Sequence, residues 1–351
     1  MNFTINGKQI GKGCPLYFIA EAGVNHNGST EIGKKLIDIA SVSGADAVKF
    51  QTFNTENIIT PDAPKSTYHI ETTGADSTQS WFDLLKTQEM SEDMHIELIE
   101  YCNKKGITFL STPYDNDSVD LLDSLNVSAF KIASTDTNNL PFLSYVAKKG
   151  RPMILSSAMS TMEEVRKAIQ VVRNEDLNEI AILQCTGNYP AEVSDSNLRV
   201  INTYSATLNC VVGYSDHTLD IINPIAATSI GASIYEKHFT LDKNLPGPDH
   251  RMSLNPDELK LTIDLVRKTE LSLGSSQKKV LEIEEENRAK LRKSIVSLVQ
   301  IDKGEKILEN MVGIKRPGTG IEPGDFYNVV GKKAAKKIQQ GIPITFEMLN
   351  D

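Results

Sequence analysis

The chain predicts an α/β fold, a closed (β/α)8 barrel of the TIM type with a hairpin before it and a small separate module behind it. Two observations carry this. From Leu16 onward a short β-rich run and an amphipathic helical stretch alternate, and eight such strands fit the roughly 250 residues expected of a closed barrel. After Leu273 the alternation stops, and short strands with glycine turns replace it. A doubly wound open sheet is the alternative that the pattern alone leaves standing.

In chain order, Phe3 to Ile10 reads FTINGKQI, two short runs around Asn6-Gly7, a strong signal for a tight hairpin. Strands follow at LYFIA, DAVKF, ITFLS, SAFKI, PMILS, EIAIL, VVGY and ASIYE. Helical periodicity marks IGKKLIDIASVSG, EDMHIELIEYCNKKG, VDLLDSL, FLSYVAKKG and MEEVRKAIQVVRN. Gly44, Gly106 and Gly150 stand where a helix would stop. A last helix over Asp257 to Leu273 completes a barrel domain at 1–273. Residues 274–290 are charged and without strand character, a partly helical linker. The remainder, 291–351, is a module of about sixty residues, small enough to gain by docking on something.

Composition bounds what such a molecule does. Its 351 residues carry 46 acidic and 37 basic side chains, a net charge of −9 and the wrong sign for a general nucleic-acid binder. An anionic substrate therefore needs a local cluster of lysines. Cys14, Cys102, Cys185 and Cys210 show no CxxC spacing and read as reduced thiols of a cytoplasmic protein. The start, MNFTINGKQIGKGC, lacks the basic and apolar regions of a signal peptide. The longest mostly apolar stretch, Ile221 to Tyr235, is broken by Asn223 and Pro224, so no membrane segment is expected.

In a barrel the chemistry sits at the carboxyl ends of the strands. There this chain has Glu21; Lys49 and Gln51, two apart and on one face; Ser111 and Thr112; Lys131, Ser134 and Asp136; Ser156 and Ser157; Gln184, Thr186, Asn188 and Tyr189. VVGY runs into Ser215, Asp216 and His217, and ASIY into Glu236, Lys237 and His238. If both histidines lie just past neighbouring strands, one small cation fits between them. Glu236 shares the face of His238. The plainer reading is a hydrogen-bonded histidine pair, salt-bridged lysines, and hydroxyls that cap helices. Convergence on one rim favours the functional reading. Two inward lysines repel each other unless an anion lies between them, which suggests a phosphorylated substrate beside a divalent ion.

The segments IAEAGVNHNGS, AVKFQTF, FLSTPYD, FKIAS, GYSDHT, EKHFTLDKN, PGPDH and KRPGTG together resemble the sialic acid synthase family, makers of N-acetylneuraminate, legionaminate and related nonulosonates. The resemblance implies a barrel followed by an antifreeze-like (SAF) domain, and a homodimer in which that domain closes the partner's site. It implies condensation of phosphoenolpyruvate with the open-chain aldehyde of an N-acetylated mannosamine sugar, with phosphate released by C–O cleavage. Manganese or magnesium is implied on His217 and His238, phosphoenolpyruvate on Lys49, Thr112, Lys131 and Ser134, and the sugar on Gln51, Tyr189, Asp249 and Arg316. Glu21 matches the acid beside the reacting carbons, and Asp136 stands where many members have a catalytic-rim glutamate.

The chain departs from the family pattern on strands four to six. KIASTD replaces KIxSGE, Gln184-Cys185 stands where histidine and cysteine are common, and STGM has become Ser156-Ser157-Ala158-Met159. These changes bear on the sugar more than on the reaction. The acceptor that the resemblance implies is N-acetylmannosamine or 2,4-diacetamido-2,4,6-trideoxymannose, and the wording of the motifs stands closer to the legionaminate and capsule sialate branches. Two rival readings are a synthase acting on a phosphorylated sugar, which needs a second basic pocket, and a catalytically silent barrel that binds carbohydrate or protein.

Overall fold

The computed structural model describes residues 1–65, 67–73 and 79–350. They divide into two compact units, Met1–Gly274 and Ser275–Asp351.

The first unit opens with the hairpin β1 (Asn2–Ile5) and β2 (Lys8–Gly11). Asn6 and Gly7 both take positive φ, the backbone that a two-residue turn between right-twisted strands requires. Phe3, Ile5 and Ile10 are buried in one cluster with Ile19, Leu110, Ile154 and Ile234 from the barrel strands. The hairpin is thus a plug for the amino-terminal end of the barrel.

Eight parallel strands follow: β3 (Tyr17–Gly23), β4 (Ala47–Thr52), β5 (Thr108–Pro113), β6 (Phe130–Ile132), β7 (Met153–Ser156), β8 (Ile180–Cys185), β9 (Val211–Asp216) and β10 (Ile234–His238). All eight expected strands are present. Their hydrogen-bonded order, β5-β4-β3-β10-β9-β8-β7-β6, brings the chain-consecutive β5 and β6 side by side at its two ends, so the sheet is a nearly closed barrel. Alternate residues of each strand enter the lumen cluster or the layer between strands and helices.

Helices Thr30–Ser43 and Glu92–Lys105 end at Gly44 and Gly106, both left-handed, as the sequence predicts. Gly150 instead follows a helix that already ends at Ala147. Helices Val200–Thr207 and Ile222–Ser229 carry no clear sequence signal, being short and rich in Thr, Ser and Asn. No helix among the described residues is long and apolar enough to cross a membrane.

Close packing of the strands sets one prediction. A Cβ on Gly213 of β9 would lie 2.3 Å from the Ile234 carbonyl oxygen and 2.7 Å from Leu183 Cδ2. Gly213→Ala is expected to destabilise the barrel by about 3 kcal/mol, read as a fall in its urea midpoint. An unchanged midpoint would show that β9 and β10 can part freely.

The second unit begins within the stretch expected to be a linker. The helix Glu285–Leu291 belongs to it, tied by the Gly318 N–H, which donates to the Ala289 carbonyl. Short strands β11 (Ser294–Ser297) and β12 (Val312–Lys315) pair antiparallel, as do β13 (Lys333–Ala334) and β14 (Leu349–Asn350). They enclose a small core of Ile295, Ile301, Ile307, Val329, Ile338 and Ile344.

Candidate active site

The strand register assembles the site. Lys49 of β4 stands opposite Glu21 of β3, and Glu21 opposite His238 of β10. All three side chains are buried. The Lys49 Nζ lies 2.7 Å from Glu21 Oε2 and donates to Thr112 Oγ1 at 2.9 Å. Across the lumen, the buried Lys131 Nζ donates to Ser156 Oγ at 2.7 Å and to the Ile132 carbonyl at 3.1 Å. Ser134 accepts from the Ala158 N–H at 2.9 Å, and Gln51 donates to Glu21 Oε1 at 3.3 Å.

The anion between the two lysines is supplied by the chain itself. Glu236 sits 3.5 Å from Lys131 and 3.9 Å from Lys49, and accepts from Ser215 Oγ at 3.1 Å. Charges therefore alternate: Glu21, Lys49, Glu236, Lys131. An ammonium has three donors. Lys49 donates to Thr112 and ion-pairs with Glu21, and Lys131 donates to Ser156 and Ile132, so both ammonium groups keep donor capacity for a ligand. Burial lowers the Lys131 pKa against the pull of Glu236. Burial would raise Glu236, yet Lys131 and Lys49 outweigh it and hold the carboxyl below its ordinary range. Glu21 is the opposite case: burial, offset only in part by Lys49, raises it to about 7.

These groups line a cavity of about 530 Å³ together with His217, His238, Cys185 and Tyr189. The two imidazole centroids are 5.6 Å apart, and the Tyr189 ring lies 4.1 Å from that of His217. His217 Nδ1 is 2.8 Å from the Thr186 carbonyl, so it carries a proton there and Nε2 is the nitrogen left for a ligand. His238 Nδ1 is buried without a hydrogen-bond partner, 3.8 Å from Asp249 Oδ2. Burial, reinforced by His217 and Lys49, keeps His238 well below the usual imidazole range. Burial lowers His217, but Cys185, 3.7 Å from its Nδ1, outweighs it and raises the imidazole to about 9. His238 offers a neutral nitrogen as it stands, and His217 one once its Nε2 gives up a proton, a pair that fits a divalent cation in its donor chemistry. Among the described residues no group of three His, Cys, Asp or Glu side chains gathers as a cation site, so water or substrate would complete its shell.

A second cavity of about 590 Å³ adjoins the first and shares Gln51, His69, Tyr114, Thr135, Tyr189 and His238 with it. Asp136 and Asp249 line this outer space and not the inner one. Asp136 accepts from Asn139 Nδ2 at 2.9 Å, and burial raises its carboxyl; burial raises Asp249 to about 6. One wall is apolar: Val24, Phe53, Ile58, Ile59, Trp81 and Leu85. Most of it belongs to the excursion between β4 and the helix Glu92–Lys105, which holds the short helices Thr55–Ile58, Thr67–Thr73 and Trp81–Lys86.

The structure thus brings Glu21, Lys49, Thr112, Lys131, Ser134, Gln51, Tyr189, His217 and His238 around the inner cavity, and Asp136 and Asp249 around the outer one. Gln184 faces away, donating to the Ser196 carbonyl at 3.2 Å, so that departure from the family pattern does not touch the cavity. Arg316 is exposed in the second unit, directly after β12. Glu236, Ser156 and Ser215 stood on the predicted rim without an assigned role, and the cavity takes in all three; sequence reasoning passed over Cys185, His69 and Tyr114. The signal for Glu236 was its face, shared with His238.

Comparison with known proteins agrees with this architecture. The NeuB family model matches residues 36–278, and the SAF domain model residues 292–350. The N,N'-diacetyllegionaminic acid synthase of Legionella pneumophila is 41% identical over 351 residues, 99% of this chain and 98% of that protein. The human N-acetylneuraminate-9-phosphate synthase is 36% identical over 347 residues, 98% of this chain and 96% of that one. The crystal structure of the spore coat polysaccharide biosynthesis protein SpsE of Bacillus subtilis superposes with a TM-score of 0.68 at 39% identity, covering 100% of this chain and 99% of that chain. With a barrel, a SAF domain and full-length relatives that are synthases, the chain is an enzyme and belongs to the NeuB family.

Proposed function

We propose that the enzyme is a nonulosonate synthase: it joins phosphoenolpyruvate to the open-chain aldehyde of an N-acylated mannosamine-type sugar and releases phosphate. The observation that carries this is the pair of buried ammonium groups, Lys49 and Lys131, facing one cavity beside Glu21, His217 and the partnerless Nδ1 of His238. The phosphate and carboxylate of phosphoenolpyruvate take the remaining lysine donors and the hydroxyls of Thr112, Ser134 and Ser156. Carbon 3 then attacks the aldehyde carbon, the aldehyde oxygen gains a proton, and water adds to carbon 2 with loss of its proton. The bond from carbon 2 to the bridging oxygen then breaks as the added hydroxyl loses its proton and becomes the ketone, and phosphate leaves with the bridging oxygen and that proton. Glu21, raised to about 7, is suited to hold or move a proton near neutral pH and to stabilise positive charge at carbon 2.

His217 and His238 would hold manganese or magnesium, which supplies Lewis acidity toward the aldehyde oxygen. His238→Ala is expected to abolish the rise in melting temperature that Mn2+ gives the parent enzyme. The same rise in the variant would remove His238 from the ligand set.

The sugar belongs in the outer cavity, against Gln51, Tyr189, Asp136 and Asp249. Its apolar wall favours 2,4-diacetamido-2,4,6-trideoxymannose over N-acetylmannosamine, because a 6-methyl group and acetamido methyls gain by burial where a hydroxyl loses its water. No lysine or arginine is among the described residues that line it, which disfavours a sugar phosphate. In this reading the enzyme is a homodimer, and the SAF domain of one copy brings Arg316 to the acyl group in the other. The test is phosphate release from phosphoenolpyruvate with Mn2+, with N-acetylmannosamine, its 6-phosphate and the trideoxy sugar compared and the products weighed by mass spectrometry. Release fastest with the trideoxy sugar is expected. Release only with the 6-phosphate, or with no sugar in an enzyme that still binds Mn2+, would sink the reading.

A further inference from the structure

On the outer face of β9 and β10, turned away from both cavities, lies a fully buried ion pair. Val212, Tyr214 and Tyr235 lie on the same strand faces, in the mostly apolar layer between strands and helices. Lys237 and Asp216 are each only 1% exposed, with Lys237 Nζ 2.6 Å from Asp216 Oδ2. Lys237 also donates to the Thr218 carbonyl at 2.6 Å. Asp216 Oδ1 accepts from the Thr218 N–H at 2.9 Å and from Thr218 Oγ1 at 2.8 Å. Tyr235 OH donates to Asp216 Oδ2, and Asn223 Nδ2 to Ser196 Oγ at 2.8 Å beside them. The polar atoms of Lys237, Asp216, Thr218, Tyr235 and Asn223 all have partners, whereas the Tyr214 hydroxyl beside them is buried without one.

The arrangement has a specific geometry. Asp216 and Thr218 flank His217, and Lys237 directly precedes His238. One ammonium, on the residue next to His238, therefore holds the Asp216 carboxylate on one side of His217 and the Thr218 carbonyl on the other. A buried ion pair is often no more stabilising than an apolar pair of equal volume, so stability alone does not explain it. Charged hydrogen bonds to a main-chain carbonyl do fix a loop in one place.

We propose that Lys237 is a positioning residue that, through Asp216 and Thr218, sets the separation of His217 and His238 and so preforms the divalent-cation site. This rests on the reading of those histidines as cation ligands. Outer interactions that orient ligands typically change metal affinity by about 10–100-fold when lost. The test is calorimetric titration of Mn2+ into the full-length enzyme without substrate. The double variant Asp216→Asn with Lys237→Met removes both charges together, keeps an acceptor for Thr218, and leaves no lone buried charge.

A double variant that melts cooperatively and binds Mn2+ about 10–100-fold more weakly supports the proposal. Affinity within threefold of the parent overturns it. If the double variant does not fold, Thr218→Val carries the test, since it removes one bond to Asp216 at constant volume. There a weakening of threefold or more supports the clamp, and unchanged affinity overturns it. A parent enzyme that binds no Mn2+ would overturn the cation reading itself, a different failure from a variant that binds as well as the parent.

Discussion

Lys131→Met lowers kcat/KM for phosphoenolpyruvate about a thousandfold. A charge-assisted hydrogen bond contributes about 1.5–3 kcal/mol, and this substitution also removes a buried positive charge from the face proposed to meet phosphate. It acts on the free enzyme too. Glu236 would keep Lys49 only at 3.9 Å and a hydroxyl of Ser215. Breaking a buried pair on one side costs about 3–5 kcal/mol, so the melting temperature falls. Adding Glu236→Gln removes the orphaned charge and recovers most of that stability while leaving kcat/KM low. The two readouts separate a role in substrate binding from a role in folding. A single variant within tenfold of the parent would exclude Lys131 from the phosphate site.

Glu21→Gln has the second largest effect, and on a different parameter. The amide still accepts from Lys49 and keeps the shape of the site, but it neither takes up a proton nor balances positive charge. Loss of a positioned acid or base costs about 10²–10⁴ in rate. The expectation is a kcat lowered by that factor, with phosphoenolpyruvate binding, measured by calorimetry in the absence of sugar, changed less than about fivefold. Unchanged turnover removes Glu21 from the mechanism. A large loss of binding with normal kcat would recast it as a support for Lys49.

The strands were legible because each is a short apolar run at regular spacing, and an eightfold alternation has few folds open to it. Strand-end positions also announced Lys49, Lys131, His217 and His238, since chain direction alone decides which end of a barrel strand carries chemistry. What sequence could not supply was neighbourhood across strands. The two lysines suggested a missing anion, and the missing anion was Glu236 on a strand more than a hundred residues further on. The wall of Phe53, Ile58, Ile59, Trp81 and Leu85 was invisible for another reason. Helices of four to seven residues show too few turns for a periodicity to register. Lys237 and Asp216 read as ordinary polar punctuation after apolar runs, and only the helix layer over them makes the pair costly and therefore informative.

The separation between strand-borne lysines and an excursion-borne wall has a consequence for descent. The groups proposed for the donor, phosphoenolpyruvate, are distributed over most of the barrel, so no local change replaces them together. Much of the surface proposed for the acceptor is encoded in one uninterrupted stretch between β4 and the helix Glu92–Lys105. A lineage can exchange that stretch, lengthen it or trim it and so adopt a new sugar in one step, while the chemistry inherited on the strands passes through unaltered.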